Sequence, residues 1–255
     1  MNNRPSTIYT TDLAVGYKKG TNEKIILSGL DLSARAGEVI AILGANGTGK
    51  STLLRTLAGL QSKLAGNIWV SNKNVQDLSP AQKARLMSIV LTDRVYPGYM
   101  SVADLVALGR HPYTDWRGRL VEQDKNATLD ALSLTGLTEL RKSDLHELSD
   151  GQLQKAMIAR ALAQDGPIMM LDEPLIHLDI PSKWEIMGIL KQMSQHRSKT
   201  IILATHELEL SLEIADWIWL ITKNRELISG TPAEMIQNGA IAATFDSEHY
   251  KFRKD

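Results

Sequence analysis

One stretch constrains this chain more than any other: Gly44-Ala45-Asn46-Gly47-Thr48-Gly49-Lys50-Ser51-Thr52. It follows an apolar run, Val39-Ile40-Ala41-Ile42-Leu43, that reads as a buried strand. It precedes Leu53-Leu54-Arg55-Thr56-Leu57-Ala58-Gly59, whose spacing is helical. A strand, a glycine-rich turn and a helix start, in that order, form the context of a P-loop. The glycines let backbone N–H groups converge with no Cβ in the way. The positive end of the helix dipole adds up to about 2 kcal/mol for an anion in a partly buried site. In such a turn Lys50 reaches the β- and γ-phosphates and the Ser51 hydroxyl ligates Mg²⁺. The rest of the stretch, Gly44 to Gly49 and Thr52, completes the cradle. The implied ligand is a nucleoside triphosphate.

The bulk numbers narrow the setting. A chain of 255 residues can bury a sizeable core in one large or two small domains. Its formal net charge of +0 offers no broad basic surface, so no nucleic-acid partner is expected. With no cysteine, disulfides, thiolate metal sites and cysteine nucleophiles drop out, and a reducing compartment fits. Residues 1–6 lack the apolar core of a secretory signal. The apolar run over 214–222 contains Asp216 and falls well short of the ~20 residues that span a bilayer. The chain is therefore not expected to cross a membrane itself, and no internal repeat is visible.

Period and punctuation give an α/β fold. Residues 8–17 and 25–32 read as strands of a small antiparallel layer ahead of the P-loop, and 66–70 as a strand after it. Ser79-Pro80 opens a short helix, and 86–91 is a strand. From Ser101 the period becomes helical, beginning with a capping-box pattern, Ser101-x-x-Asp104. Helices follow at about 126–134 and from Ser149, so 93–165 reads as a helical subdomain inserted between strands. Strands at 168–171, 200–204, 217–221 and 226–229 then alternate with helices at about 182–193, 207–214 and 232–236. This predicts a mostly parallel sheet with helices on both faces, built from residues 1–92 and 166–255 as one domain. The tail beyond Gly239 carries no clear pattern.

Further residues point to the same ligand. The run over 168–171 leads straight into Asp172-Glu173-Pro174, and an Asp at the end of a buried strand is the usual second anchor for Mg²⁺ in a P-loop protein. The adjacent Glu173 is placed to orient or deprotonate an attacking water. His206 ends another apolar strand, on the sheet edge where α/β folds bind ligands, so a bond to the γ-phosphate is expected of it. Tyr17 could face a purine, although a strand tyrosine more often serves packing. Leu148-Ser149-Asp150-Gly151-Gln152 opens a helix with Ser149 at its N-cap, a second anion-binding helix start. One cradle already occupies the phosphates. A head-to-tail dimer, each copy lending its Ser149 helix to the other's nucleotide, would use both.

Together these motifs resemble the ATP-binding subunit of an ATP-binding cassette (ABC) transporter, over residues 8–237. Residues 44–52 match its Walker A motif, and 168–173 match Walker B with the catalytic glutamate. Residues 148–152 match the signature, Leu178-Asp179 the D-loop and His206 the switch histidine. The resemblance implies ATP and Mg²⁺ as ligands, Tyr17 against the adenine, and catalytic roles for Lys50, Glu173 and His206. Ser149, Gly151 and Gln152 would contact the nucleotide of the second copy. Three positions depart from the family pattern. Asp150 replaces the first signature glycine, and its side chain is expected to point away from the γ-phosphate. Thr92 and Asp93 stand where a glutamine should follow the strand, leaving Thr92 or Asp93 to hold Mg²⁺ or its water. Leu175-Ile176-His177 replace the usual residues before the D-loop.

Residues 100–113, ending Leu108-Gly109-Arg110-His111-Pro112-Tyr113, are similar to the importer branch for ferric siderophores, haem or cobalamin. That branch works on the cytoplasmic face of the membrane with permease subunits and, indirectly, a substrate-binding protein. The rival readings are an exporter ATPase and a soluble non-transport ABC ATPase. The single cassette, neutral charge and lack of a heptad run weigh against the latter.

Overall fold

A computed structural model describes residues 6–92, 99–246 and 252. The antiparallel layer consists of β1 (Ser6–Lys19), β2 (Asn22–Leu30) and β3 (Ser33–Arg35). After β4 (Val39–Gly44) and α1 (Lys50–Leu57), β5 (Ala65–Val70) and β6 (Lys73–Asn74) return to it. The strand order is β2-β1-β5-β6, with β3 on β1.

Next come α2 (Pro80–Leu86), β7 (Met87–Val90), α3 (Val102–Ala107), α4 (Glu122–Leu134) and α5 (Asp150–Gln164). The chain then alternates through β8 (Ile168–Asp172), α6 (Ile180–Arg197), β9 (Thr200–Ala204), α7 (Leu208–Ile214) and β10 (Trp217–Ile221). It closes with β11 (Leu227–Gly230), α8 (Pro232–Gln237) and α9 (Ala240–Phe245). The second sheet has the order β11-β10-β4-β9-β8-β7, parallel throughout except for the β10–β11 hairpin.

This sheet is buried on both faces, and its side chains sort by the two-residue period of a strand. Ile40 and Ile42 of β4 join a core with α1 and the antiparallel layer. Val39, Ala41 and Leu43 point to the opposite core, shared with α3, α4, α5 and α6. Strand β8 divides the same way, with Ile168 and Met170 on one side and Met169 and Leu171 on the other. The order β4-β9-β8 brings the ends of β4 and β8 to the same edge with one strand between them. The site is built on that edge.

Some boundaries differ from the sequence expectation. The strand expected over 86–91 is Met87–Val90, because Leu86 closes α2. Helix α4 begins at Glu122 rather than near Asn126. Its opening turn is polar, and Asp124 accepts from the Val121 amide through its own carboxylate (3.0 Å), so no Ser or Thr cap advertises the start. The tail forms α9, whose Ile241 is buried.

The motif at residues 108–113 has a packing role. It forms a 3-10 turn after α3, and a Cβ on Gly109 would sit 2.3 Å from the Arg160 carbonyl of α5, so only glycine permits this approach. Arg110 is buried; its Nε donates to Asp124 Oδ1 (2.8 Å), its Nη1 donates to the Ala163 carbonyl (2.9 Å), and it lies over the Tyr113 ring. Burial pushes the Asp124 carboxyl up, but the Val121 amide and the Arg110 guanidinium outweigh it and hold the group below the usual aspartate range. The resulting stability is present above the ordinary aspartate pKa of ~3.9 and is lost as pH falls through the lower folded value. Arg110→Met strands a buried carboxylate and should cost about 3–5 kcal/mol in urea unfolding, while Arg110→Met with Asp124→Leu should recover most of it.

Candidate functional site

Strand β4 delivers the chain into the P-loop with every residue buried. The turn needs its glycines. At Gly49, φ is 111°, and a Cβ there would lie 2.5 Å from Ile26 Cγ2. Gly49 also leaves α1 without a side-chain cap, so the first amides of α1 are not taken up by a capping side chain. The loop opens on a cleft of about 510 Å³, lined by Asn46, Gly47, Gly49, Lys50, Ser51 and Thr52 together with Tyr17, Thr92, Asp172 and Glu173. Lys24, Ile26, Arg55 and Arg225 complete its walls, and none of these four was singled out from sequence. Lys24 and Ile26 come from β2, Arg55 from α1 and Arg225 from the turn between β10 and β11, so only tertiary packing brings them together.

Lys50 is buried and folds back on the loop, its Nζ donating to the carbonyls of Gly44 (2.9 Å) and Ala45 (3.3 Å). Burial lowers its pKa below the usual lysine value, against the opposing pull of Glu173 and Asp172. A cation held this way has more to gain from a phosphate than one already solvated. Ser51 donates its hydroxyl to Asp172 Oδ1 at 2.7 Å, joining the start of α1 to the end of β8. Asp172 is 1 % exposed, and its Oδ2 has no hydrogen-bond partner among the described residues, with Arg55 Nε 3.9 Å away. A buried carboxylate oxygen without a hydrogen bond is costly by itself. A hydroxyl beside it makes the pair a fitting anchor for a hard divalent cation.

Glu173 sits at φ 50°, a left-handed backbone that costs a non-glycine residue of order 1–3 kcal/mol. Its amide donates to the Ala204 carbonyl at 2.8 Å, which fixes that geometry against β9. The result turns its carboxylate across the cleft. Oε2 shares a 2.8 Å hydrogen bond with His206 Nδ1, and Oε1 lies 3.7 Å from Lys50 Nζ. His206 Nε2 lies 3.8 Å from Glu207 Oε1, and Glu207 is paired with Lys183 of α6.

The remaining expected residues fall in three groups. Tyr17 is half exposed beside the cleft, and its hydroxyl bonds to Thr52 Oγ1 at 2.9 Å, leaving its ring beside the opening. Thr92 lines the cleft, but its hydroxyl donates to the Asp172 carbonyl (3.0 Å); Asp93 lies outside the described residues. Ser149, Gly151 and Gln152 do not line this cleft. Ser149 and Gln152 cap α5 reciprocally, at 3.2 and 3.0 Å, and Asp150 is exposed in the first turn.

The family model for ABC transporters matches residues 27–176. The petrobactin import ATP-binding protein FpuD of Bacillus anthracis is 37 % identical over 226 residues, covering 89 % of this chain and 83 % of that protein. The ferric enterobactin transport ATP-binding protein FepC of Escherichia coli is 32 % identical, covering 88 % of this chain and 81 % of its own. Among solved structures, the dimeric bacterial ABC transporter cassette MJ0796 superposes with a TM-score of 0.74 at 25 % identity, covering 84 % of this chain and 93 % of that one. The chain belongs to the ABC transporter ATP-binding family, and it is an ATP-binding, ATP-hydrolysing cassette.

Asp172→Asn keeps the size of the side chain but removes its charge. Calorimetric titration with ATP should show affinity in Mg²⁺ falling to the level found with excess chelator, while the wild type keeps a clear Mg²⁺-dependent gain.

Proposed function

We propose that this chain powers an ABC importer for a ferric siderophore, working as a head-to-tail pair of copies bound to permease subunits on the cytoplasmic face of the membrane. A substrate-binding protein would deliver the cargo to that permease. The observation that carries the catalytic reading is the placement of Glu173 between His206 and Lys50, facing the P-loop cleft.

In this reading ATP lies along residues 44–52, with its base at Tyr17. Ser51 and Asp172 would hold Mg²⁺, with Thr92 beside them, and the ion would offset phosphate charge. Glu173 orients the attacking water and accepts its proton, while Lys50 and His206 stabilise charge developing on the γ-phosphate. Ser149, Gly151 and Gln152 serve the nucleotide of the other copy; their absence from the chain's own cleft supports that assignment, as does the dimeric assembly of the related cassette.

Residues 93–165 would act as the helical subdomain that passes the closing motion to the permease, within one domain completed by 1–92 and 166–255. Among the described residues no helix is long and apolar enough to cross a membrane, which agrees with attachment through a partner. The siderophore class rests on what the relatives are named for.

Glu173→Gln should still bind ATP yet lose about 100-fold or more in phosphate release. It should elute as a dimer with ATP and as a monomer without it. Near-normal turnover would remove Glu173 from this role. Purification of the tagged chain from membranes should bring a multispanning protein with it; a soluble partner alone would contradict the transport assignment.

A further inference from the structure

The loop between β8 and α6 carries Glu173, and the first two turns of α5 rest on it. A Cβ at Gly151 would come within 3.3 Å of Leu178 Cδ2, so the helix start packs directly over the D-loop leucine. One turn on, Gln154 Nε2 donates to the Pro174 carbonyl at 3.0 Å. Beside it, Lys155 pairs with Glu185 of α6 at 2.6 Å.

The middle contact lands where it can act on Glu173. Pro174 has no amide hydrogen, so its carbonyl is the only backbone hydrogen-bonding group that residue offers. Glu173, immediately before it, is held in a left-handed conformation with its amide on the Ala204 carbonyl. The catalytic turn is thus fixed from β9 on one side and from α5 on the other. The contact from α5 comes from a side chain less than two turns from Ser149.

We infer that Gln154 is a positioning residue that couples the signature end of α5 to Glu173 within one copy, and so couples the two nucleotide sites of the pair. This rests on the head-to-tail reading given above. In that arrangement, α5 of each copy touches the nucleotide bound to the other, while its Glu173 serves its own. A shift of α5 on engaging the neighbouring phosphate moves the Pro174 carbonyl through Gln154, and with it the glutamate. Each site then responds to occupancy of the other along the Gln154–Pro174 contact, a contiguous physical link rather than mere proximity.

The test uses the full-length chain and its Gln154→Met variant, which keeps the length of the side chain and removes the donor. The wild type should hydrolyse ATP with a Hill coefficient above one. The variant should fall to about one and lose about tenfold in kcat, less than the ~100-fold that a 1 Å misplacement of a reacting group can cost. Its ATP affinity, measured below the dimerising concentration, should change less than about twofold on the same scale, as should its KM. A Hill coefficient and kcat equal to the wild type, or a matched loss of ATP affinity and thermal stability, would overturn the inference. Placing both chains in a Glu173→Gln background separates the two claims. ATP-dependent dimers there, beside unchanged cooperativity of hydrolysis in the Gln154→Met single variant, defeat only the Gln154 assignment, whereas no dimer defeats the arrangement it depends on.

Discussion

A buried carboxylate has to find compensation, and the way Asp172 finds it organises this protein. Its side chain ends a fully buried strand, with one oxygen on the Ser51 hydroxyl and the other lacking a hydrogen bond among the described residues. Leaving such an oxygen unpaired costs roughly 1–3 kcal/mol or more. The Arg55 guanidinium, 3.9 Å from that oxygen, offsets part of the cost, and a bound cation would offset the rest. The sheet order β4-β9-β8 places this carboxylate beside the start of α1, and the P-loop is fixed there by the same strands. The hydrophobic cores on the two sheet faces hold that edge rigid. Their alternating residues, Ile40 and Ile42 against Val39, Ala41 and Leu43, keep β4 from slipping register.

Around this anchor the site is a balance of charges. Lys50 and His206 both face Glu173, and Glu207 with Lys183 stands behind His206. The lysine is bonded to loop carbonyls and resists its own burial, so a phosphate arriving in the cleft replaces weak partners with a strong one. The left-handed backbone at Glu173 belongs to the same economy. Strain of that kind persists only when neighbours over-determine it, and here Ala204 and Gln154 flank it.

Much of this was legible in the sequence, and the reason is local. The P-loop, Asp172-Glu173 and the strand-end His206 each sit at the boundary of an apolar run, and the alternation of period names the element they terminate. The fold class follows from the same alternation. What stayed hidden depends on long-range packing. Arg110 stands in a motif similar to the importer branch, but nothing in its spacing shows that it is a buried ion-pair partner of Asp124 and a bridge to α5. Helix α4 starts on a polar turn capped from within, and α9 lies in a tail whose pattern is too short to read. Arg55, Lys24 and Arg225 enter the cleft from three separate elements, and no spacing rule joins them. Gln154 is invisible for the same reason, since its partner is a backbone carbonyl on a different element.

The central claim is that the P-loop of one copy and the α5 start of another complete a single nucleotide site. The absence of native cysteine allows a direct measurement. Asn46 and Asp150 are both exposed, and each can be replaced by cysteine in a separate chain that also carries Glu173→Gln. When the two chains are mixed and oxidised, the account predicts a disulfide-linked heterodimer with ATP and almost none without it. Neither chain alone should cross-link to the same extent. Equal cross-linking with and without ATP, or none in either case, would contradict it.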